Sequence, residues 1–357
     1  MSKLERIFLT ISIIYLAACL VCFPKAGVAV AKDAVLLCIN SVVPALLPYL
    51  VCSGYLSASG FASRLGSRLS PIMRPLFNIP GSGAIALVLG TVSGYPIGAV
   101  CAADLYSSGE CTKPQAERLL AFCNNSGPLF IMSVVGAGYL DSPHLGRLLY
   151  ISHILSALLV GIIMRTYNPK GGFTQKALPR HPAADTKNIM QIFGTVIDNS
   201  VFSILKICGF VVFFTVLAQS IPKTSLSPYF HAILEITGGT KAIVASPLGF
   251  ELKMSIISFF IALSGISVLF QVGSIASVHG LSLKPYVIGK LLQGIFSALF
   301  TRIMVSKLPQ TVDVFAPSRV PVTTISQSLA AAGFMLVFGL VVLLILACSV
   351  RLFQKFR

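Results

Sequence analysis

Long apolar runs alternate with short polar stretches along the chain, and several runs are interrupted by glycine, proline or asparagine. Many of the runs approach the roughly 20 residues that a membrane-spanning helix needs. The pattern predicts eight spans, at residues 5–24, 34–57, 113–139, 145–165, 194–221, 255–278, 285–305 and 325–350. Two of these contain breaks, at Asn124–Pro128 and at Ser264-Gly265. The predicted fold class is therefore an all-α polytopic membrane protein.

Two further apolar stretches are cut into short arms. Gly83–Leu105 is broken at Ser93-Gly94-Tyr95-Pro96, and Ala232–Leu252 is broken at Gly238-Gly239. Each arm is nearer ten residues than the roughly 20 of a span, so both stretches are predicted to be re-entrant helical hairpins with tips at these breaks. Lipid offers no hydrogen bonds, and broken backbone at membrane depth must therefore be buried in protein or line a polar cavity.

Three shorter features lie between these elements. Phe61–Ile79 alternates arginine with apolar residues, which is typical of a basic amphipathic helix lying in the membrane interface. Asn40-Ser41 precedes Pro44 by one turn, so a kink is expected where polar side chains occur. Lys25–Asp33 is predicted to be a loop.

The same features occur in the same order in both halves of the chain. The matched pairs are Asn40-Ser41-Val42 with Asn199-Ser200-Val201, Ser93-Gly94 with Gly238-Gly239, Asn125-Ser126-Gly127 with Leu263-Ser264-Gly265, and Ser156-Ala157-Leu158 with Ser297-Ala298-Leu299. Each half then has three crossings and one hairpin, and the odd number of crossings inverts the second copy in the membrane. This is the inverted-repeat plan of secondary transporters.

The repeat divides the chain into five parts. These are an N-terminal helix and loop at residues 1–33, repeat 1 at 34–167, a basic linker at 168–188, repeat 2 at 189–305, and a loop, last span and basic tail at 306–357.

Charge supports a membrane protein with both termini in the cytoplasm. Hydrophobic residues make up 55% of the 357 positions and charged residues 11%, and the net charge is +16. The lysines and arginines of the short loops are in excess on the side predicted to be cytoplasmic, which satisfies the positive-inside rule. A nucleic-acid partner is not expected, because no basic recognition helix or aromatic–basic cluster is present in the sequence. The nine cysteines lie mostly within apolar runs and indicate no metal or redox site.

Three motifs carry a family resemblance. The sequence N-S-V-V-P-A-L-L-P-Y-L, then V-S-G-Y-P-I-G-A and E-R-L-L-A-F-C-N-N-S-G-P-L-F-I, resembles the YlbJ-type sporulation integral membrane proteins. In the second half, L-E-I-T-G-G and L-S-G-I-S-V-L-F-Q-V are similar to the same family, and the resemblance covers roughly residues 34–305. These proteins carry the Gate (nucleoside-recognition) domain. The resemblance implies transport of dipicolinate, a small aromatic dianion, across the mother-cell-derived membrane around the forespore.

The breaks supply the candidate binding site, because half-helix ends at a break present free backbone groups to a small solute. The predicted substrate-binding residues are Ser93, Gly94, Tyr95, Asn124, Asn125, Ser126, Gly127, Thr237, Gly238, Gly239, Ser264, Gly265 and Gln271. Lys206 and Lys290 are candidate charge partners of an anion, unless they extend to the interface from helix ends. Glu235 is a candidate site for a coupling proton or cation, or an ion-pair partner of a nearby lysine.

The expected partners are a small anionic solute and the lipid bilayer, with no cofactor and with the coupling ion left open. A nucleoside or other small metabolite is an alternative cargo, and a non-transporting structural or regulatory protein of spore formation is an alternative of another class. A serine protease built on Ser93 and His153 is not expected, since no second motif supports the pair. Both a monomer and a homo-oligomer are compatible with the sequence.

Overall fold

A computed structural model describes residues 3–59, 61–167, 189–221 and 224–307, and within these ranges every regular element is a helix. The all-α class is thereby confirmed. The predicted linker at 168–188, the predicted span at 325–350 and the basic tail lie outside the described residues.

The N-terminal region is more helical than predicted. Helix α1 (Lys3–Cys22) and helix α2 (Pro24–Leu37) meet at a bend, which measures 115° between Thr10–Cys22 and Pro24–Asn40. The predicted loop at 25–33 is wrong, because it lies inside α2. Proline at the first helical position presets the φ angle for a helix start, and the alanine- and valine-rich sequence that follows continues it.

Helix α2 runs through a π-helical turn (Cys38–Val42) into helix α3 (Val43–Ala58). The prediction that Asn40-Ser41 marks an irregularity is confirmed. Helix α4 (Phe61–Phe77) confirms the basic amphipathic element. It buries Phe77 in the core and leaves Arg68 and Arg74 exposed.

The first hairpin has its break where the sequence predicts it. Helices α5 (Gly83–Val92) and α6 (Ile97–Ser107) pack against each other across residues 93–96. Gly94 has a φ of 94°, a conformation that costs glycine nothing and other residues a great deal.

The tip of the second hairpin differs from the prediction. Helices α10 (Ser227–Leu234) and α11 (Ile236–Val244) are separated by Glu235, whereas Gly238-Gly239 lies in the first turns of α11. Gly239 serves close packing instead, since a Cβ at this position would overlap the backbone of Ala232.

Both breaks lie at the predicted residues. Helix α7 (Lys113–Cys123) and a π-helix (Leu129–Tyr139) are separated by residues 124–128. Helices α12 (Phe250–Leu263) and α13 (Gly265–Val278) meet at Ser264, which has a left-handed φ of 72°.

Four described segments are long and apolar enough to cross a membrane, and the bent pair α1–α2 would make a fifth. The four are α8 (Pro143–Met164), α9 (Ile189–Gln219), the broken segment Phe250–Val278, and α14 (Lys284–Val305). The predicted spans at 34–57 and 113–139 do not form single long helices, because the π-helical turn and the break at 124–128 divide them. Helix α14 packs against α7, α8 and α12, and α3 packs against α9, so the two halves of the chain interlock.

Candidate functional site

The two hairpin tips and parts of both broken spans surround one cavity of about 150 Å³. The first half of the chain contributes the tip of hairpin 1 and Gly127 from the adjacent break. The second half contributes the tip of hairpin 2 and one face of α13. The polar or break-associated lining residues are Ser93, Gly94, Tyr95, Gly127, Glu235, Thr237, Ser267 and Gln271. We call this space the central cavity.

Each tip packs against the break of its own half. A Cβ at Gly94 would lie 2.9 Å from the Gly127 backbone nitrogen, so the first tip touches the first break through backbone atoms. A Cβ at Gly265 would lie 3.2 Å from the Ile233 carbonyl oxygen, so the second break touches the second hairpin in the same way. Small residues permit this close approach of backbones within a membrane protein.

Two buried polar side chains in the wall of the central cavity have unused hydrogen-bonding atoms. Ser93 is 8% exposed and Gln271 is 4% exposed. Within the described part of the chain, Ser93 Oγ and Gln271 Oε1 have no hydrogen-bond partner. The Gln271 Nε2 donates to Ser267 Oγ over a long 3.5 Å. An unpaired buried polar atom costs about 1–3 kcal/mol, and a polar solute in the central cavity would remove that cost.

Glu235 forms the tip of the second hairpin. Its Oε1 accepts a hydrogen bond from the Thr237 backbone nitrogen at 2.9 Å, and its Oε2 accepts one from the Gly238 nitrogen at 2.8 Å. A carboxylate in this position satisfies free amides at the start of α11 and interacts favourably with the helix dipole. Sequence reasoning placed Glu235 before the tip. The signal that locates it is an acceptor side chain two and three residues ahead of Thr237 and Gly238.

Residues 124–126 lie behind the central cavity rather than in its wall. All three are fully buried. Asn125 Nδ2 donates to the Phe122 carbonyl at 2.9 Å, and Gln293 Nε2 donates to Asn125 Oδ1, also at 2.9 Å. Lys290 Nζ donates to Gln293 Oε1 at 2.8 Å. The first break is therefore held from behind by a hydrogen-bonded relay, Lys290–Gln293–Asn125, that crosses from one half of the chain to the other.

Ser126 connects this relay to other elements. Its backbone nitrogen donates to His153 Nε2 at 3.1 Å, and its Oγ donates to the Ile261 carbonyl at 3.2 Å. The Tyr95 hydroxyl lies beside Ser126, and Tyr95 also lines the central cavity. His153 Nε2 also lies 3.5 Å from Gln293 Nε2.

The two candidate lysines occupy different places. Lys290 is 2% exposed and lies 6.0 Å from the centre of the Tyr286 ring, so it does not extend to the interface. Lys206 is exposed and lines a second, larger groove. Neither lines the central cavity.

The remaining predicted site residues serve packing and backbone geometry. Gly238, Gly239, Ser264 and Gly265 shape the second hairpin and the second break, and they do not line the central cavity. Asn124 lies beside the Tyr286 hydroxyl.

These features define a helical membrane protein in which interrupted helices from two halves of the chain meet around a small cavity. The chain is 30% identical over 341 aligned residues to the sporulation integral membrane protein YlbJ of Bacillus subtilis (strain 168). The alignment covers 85% of this chain and 84% of the relative. The chain belongs to the family of that protein. No family model matches the chain, and no solved structure matches it.

Proposed function

We propose that this protein is a secondary-type membrane transporter of a small anionic solute and that the central cavity is its binding site. The observation that carries the proposal is the meeting of both hairpin tips with Gly127 and the face of α13 around one cavity. Interrupted helices in corresponding halves are where transporters of this plan bind their substrates.

The inverted repeat is part of the proposal. Hairpin 1 followed by the break at 124–128 corresponds to hairpin 2 followed by the break at Ser264, and each tip packs on its own break. The first helices of the two halves, α3 and α9, pack together, as do the last helices, α8 and α14. Such like-with-like packing is expected around a pseudo-two-fold axis. The arrangement would comprise eight spans and two hairpins that enter from opposite faces, with both termini in the cytoplasm.

The size of the central cavity favours one small ring over a nucleoside. A cavity of about 150 Å³ in another protein holds benzene, and pockets for drug-sized ligands are roughly 300–1,000 Å³. Dipicolinate, the cargo that the family resemblance implies, is a single ring with two carboxylates. Ser93 Oγ, which has no partner among the described residues, and the Gln271 amide group lie in the wall and can hydrogen-bond such a solute.

Glu235 is the residue that we propose couples transport of the cargo to a proton or a cation. Glu235 is the acidic side chain in the wall of the central cavity, and a carboxylate can bind a proton or a cation. We therefore assign the coupling proton, or a coupling cation, to Glu235. The membrane around the forespore is the proposed location, in keeping with the relative's printed description as a sporulation protein.

A ligand-stabilisation screen on the purified protein tests the function. Dipicolinate, other small dicarboxylates and nucleosides would each be added at increasing concentration, because only a bound cargo raises the unfolding temperature by mass action. We expect a concentration-dependent rise with dipicolinate and none with nucleosides. A non-transporting scaffold would respond to none of them, and a nucleoside transporter would respond in the opposite order.

A further inference from the structure

A second groove adjoins the central cavity and is about four times larger, with a volume of about 620 Å³ against about 150 Å³. Four helices line it. They are the last part of α3, the whole length of α6, the first two-thirds of α9 and the last part of α13. The groove extends along α9 from Ile192 to Phe210, which is about 27 Å of helix.

The groove and the central cavity share two lining residues, Ile207 on α9 and Gln271 on α13. These side chains are both buried, and Gln271 Oε1 has no hydrogen-bond partner within the described residues. A solute that moved from the groove into the central cavity would therefore pass between them. The two spaces therefore adjoin at these two side chains.

The lining of the groove suits an anion in water. Lys206 lies near the middle of α9 and faces the groove, with Ser203 and Asn199 one and two turns before it. A lysine in the middle of a spanning helix faces a polar cavity or a partner, because hydrocarbon cannot solvate it. The other charged or titratable lining groups are Asp104 and His279, which lie near each other.

The predicted topology places the groove-lining ends of these helices on the same side of the membrane. The predicted topology places the end of α3, the start of α9, the outer ends of hairpin 1 and the end of α13 in the cytoplasm. Further along α9, beyond the central cavity, Phe214 packs against Phe270 with ring centres 5.4 Å apart. The larger space therefore lies on the side predicted to be cytoplasmic, and this aromatic pair lies beyond the central cavity.

We propose that the groove is a water-filled cytoplasmic vestibule in which a small carboxylate docks against Lys206 before it passes Ile207 and Gln271. The assignment of the carboxylate as cargo rests on the proposed function. The vestibule itself does not, because its accessibility and its charge preference are measurable without transport.

The test is charge-selective thiol labelling in a thiol-free version of the full chain. Ser203→Cys would be exposed to membrane-impermeant thiol reagents, one anionic and one cationic, in inside-out and right-side-out vesicles. We expect reaction from the cytoplasmic side, with the anionic reagent favoured by about tenfold, the lower end of the enrichment that a focused field gives. Lys206→Gln should remove the preference, whereas Asp104→Asn should leave or increase it. Leu205→Cys, on an exposed apolar part of α9 outside the groove, should not react.

Ser274→Cys, on the α13 wall of the groove, provides a second reporter in case Ser203→Cys does not insert. Reaction only from the outer side, a preference that survives Lys206→Gln, or no reaction at either reporter would overturn the vestibule.

Dipicolinate on the cytoplasmic side should slow the anionic reagent. Should dipicolinate stabilise the protein without slowing the reagent, docking at Lys206 is wrong. If it does neither while the charge preference is present, the vestibule stands and the proposed cargo fails.

Discussion

The backbone of Gly94 lies directly against the backbone of Gly127. A Cβ added at Gly94 would lie 2.9 Å from the Gly127 nitrogen, and one added at Gly127 would lie 2.9 Å from the Ser93 carbonyl oxygen. The contact joins the tip of the first hairpin to the break in the next span. Both glycines also line the central cavity. The position of the tip, and with it the shape of the cavity wall, therefore depends on the absence of side chains at these two sites.

Gly127→Ala should displace the first tip. Forcing a methyl group into a close-packed contact costs about 1–3 kcal/mol, and we expect a lower unfolding temperature together with weaker dipicolinate binding. Thermal unfolding in detergent and equilibrium binding measure the two effects. The matched control is Gly209→Ala on α9, where an added Cβ would have no neighbour within 4 Å. A Gly127→Ala protein with the stability and affinity of the control would show that the contact is unimportant.

Asn125→Ala and Ser93→Ala should separate structural support from cargo binding. Asn125→Ala leaves Gln293 Nε2 without its 2.9 Å acceptor and should lower the free energy of unfolding by about 1–3 kcal/mol. Ser93 Oγ is buried and has no partner among the described residues, so Ser93→Ala should leave stability unchanged or raise it. The same change should weaken dipicolinate binding about tenfold, which is about 1.4 kcal/mol.

Ser156→Ala is the control for both variants, because Ser156 Oγ bonds only the His153 carbonyl one turn away at 2.7 Å. Chemical denaturation and equilibrium binding would be measured on all three proteins. Loss of stability in Ser93→Ala, or unchanged stability in Asn125→Ala, would reverse the assignment of the two residues.

Glu235→Gln should uncouple transport. Glutamine keeps one acceptor oxygen for the amides of Thr237 and Gly238 but cannot take up a proton at physiological pH. We expect exchange of dipicolinate across proteoliposome membranes to persist while accumulation driven by a pH or cation gradient is lost. Lys241→Gln, an exposed position on the same short helix, should change neither. Normal accumulation by Glu235→Gln would remove Glu235 from the coupling mechanism.

Lys290→Met should lower stability and reduce transport. It leaves the buried Gln293 Oε1 without its 2.8 Å donor, and an unpaired buried polar atom costs about 1–3 kcal/mol. Lys290 begins the relay through Gln293 to Asn125, so its loss should also free the first break to move. Unfolding temperature and initial transport rate are the two measurements. A less stable protein with an unchanged rate would assign Lys290 to folding alone.

Much of the helical arrangement could be predicted from the sequence, because the breaks consist of residues with strong local conformational preferences. Asparagine, serine, glycine and proline at 124–128 end one helix and start another, and the pair Ser264-Gly265 adopts left-handed φ angles. The same reasoning located the first hairpin tip at residues 93–96. The errors came from tertiary context. Gly238-Gly239 was taken as a tip, but glycine also permits close packing, and here Gly239 lies against Ala232.

The site was predicted in part for a related reason. A break identifies where backbone groups are free, but it does not say which side chains face the cavity and which face the protein behind it. Ser93, Tyr95 and Gln271 line or adjoin the central cavity. Asn125 and Ser126 point away from it, because α14 and α8 bring Gln293 and His153 to them. Those partners are 168 and 27 residues distant in the chain, and local patterns cannot pair them.

The most direct test of the central claim is equilibrium binding of radiolabelled dipicolinate to the purified protein and to Val134→Trp. Val134 lies in the apolar part of the cavity wall, so tryptophan there removes space without changing a polar group. We predict saturable binding with one site per chain in the unaltered protein and its loss in Val134→Trp, while Gly209→Ala binds normally. Absence of saturable binding, or equal binding by Val134→Trp, would contradict the account.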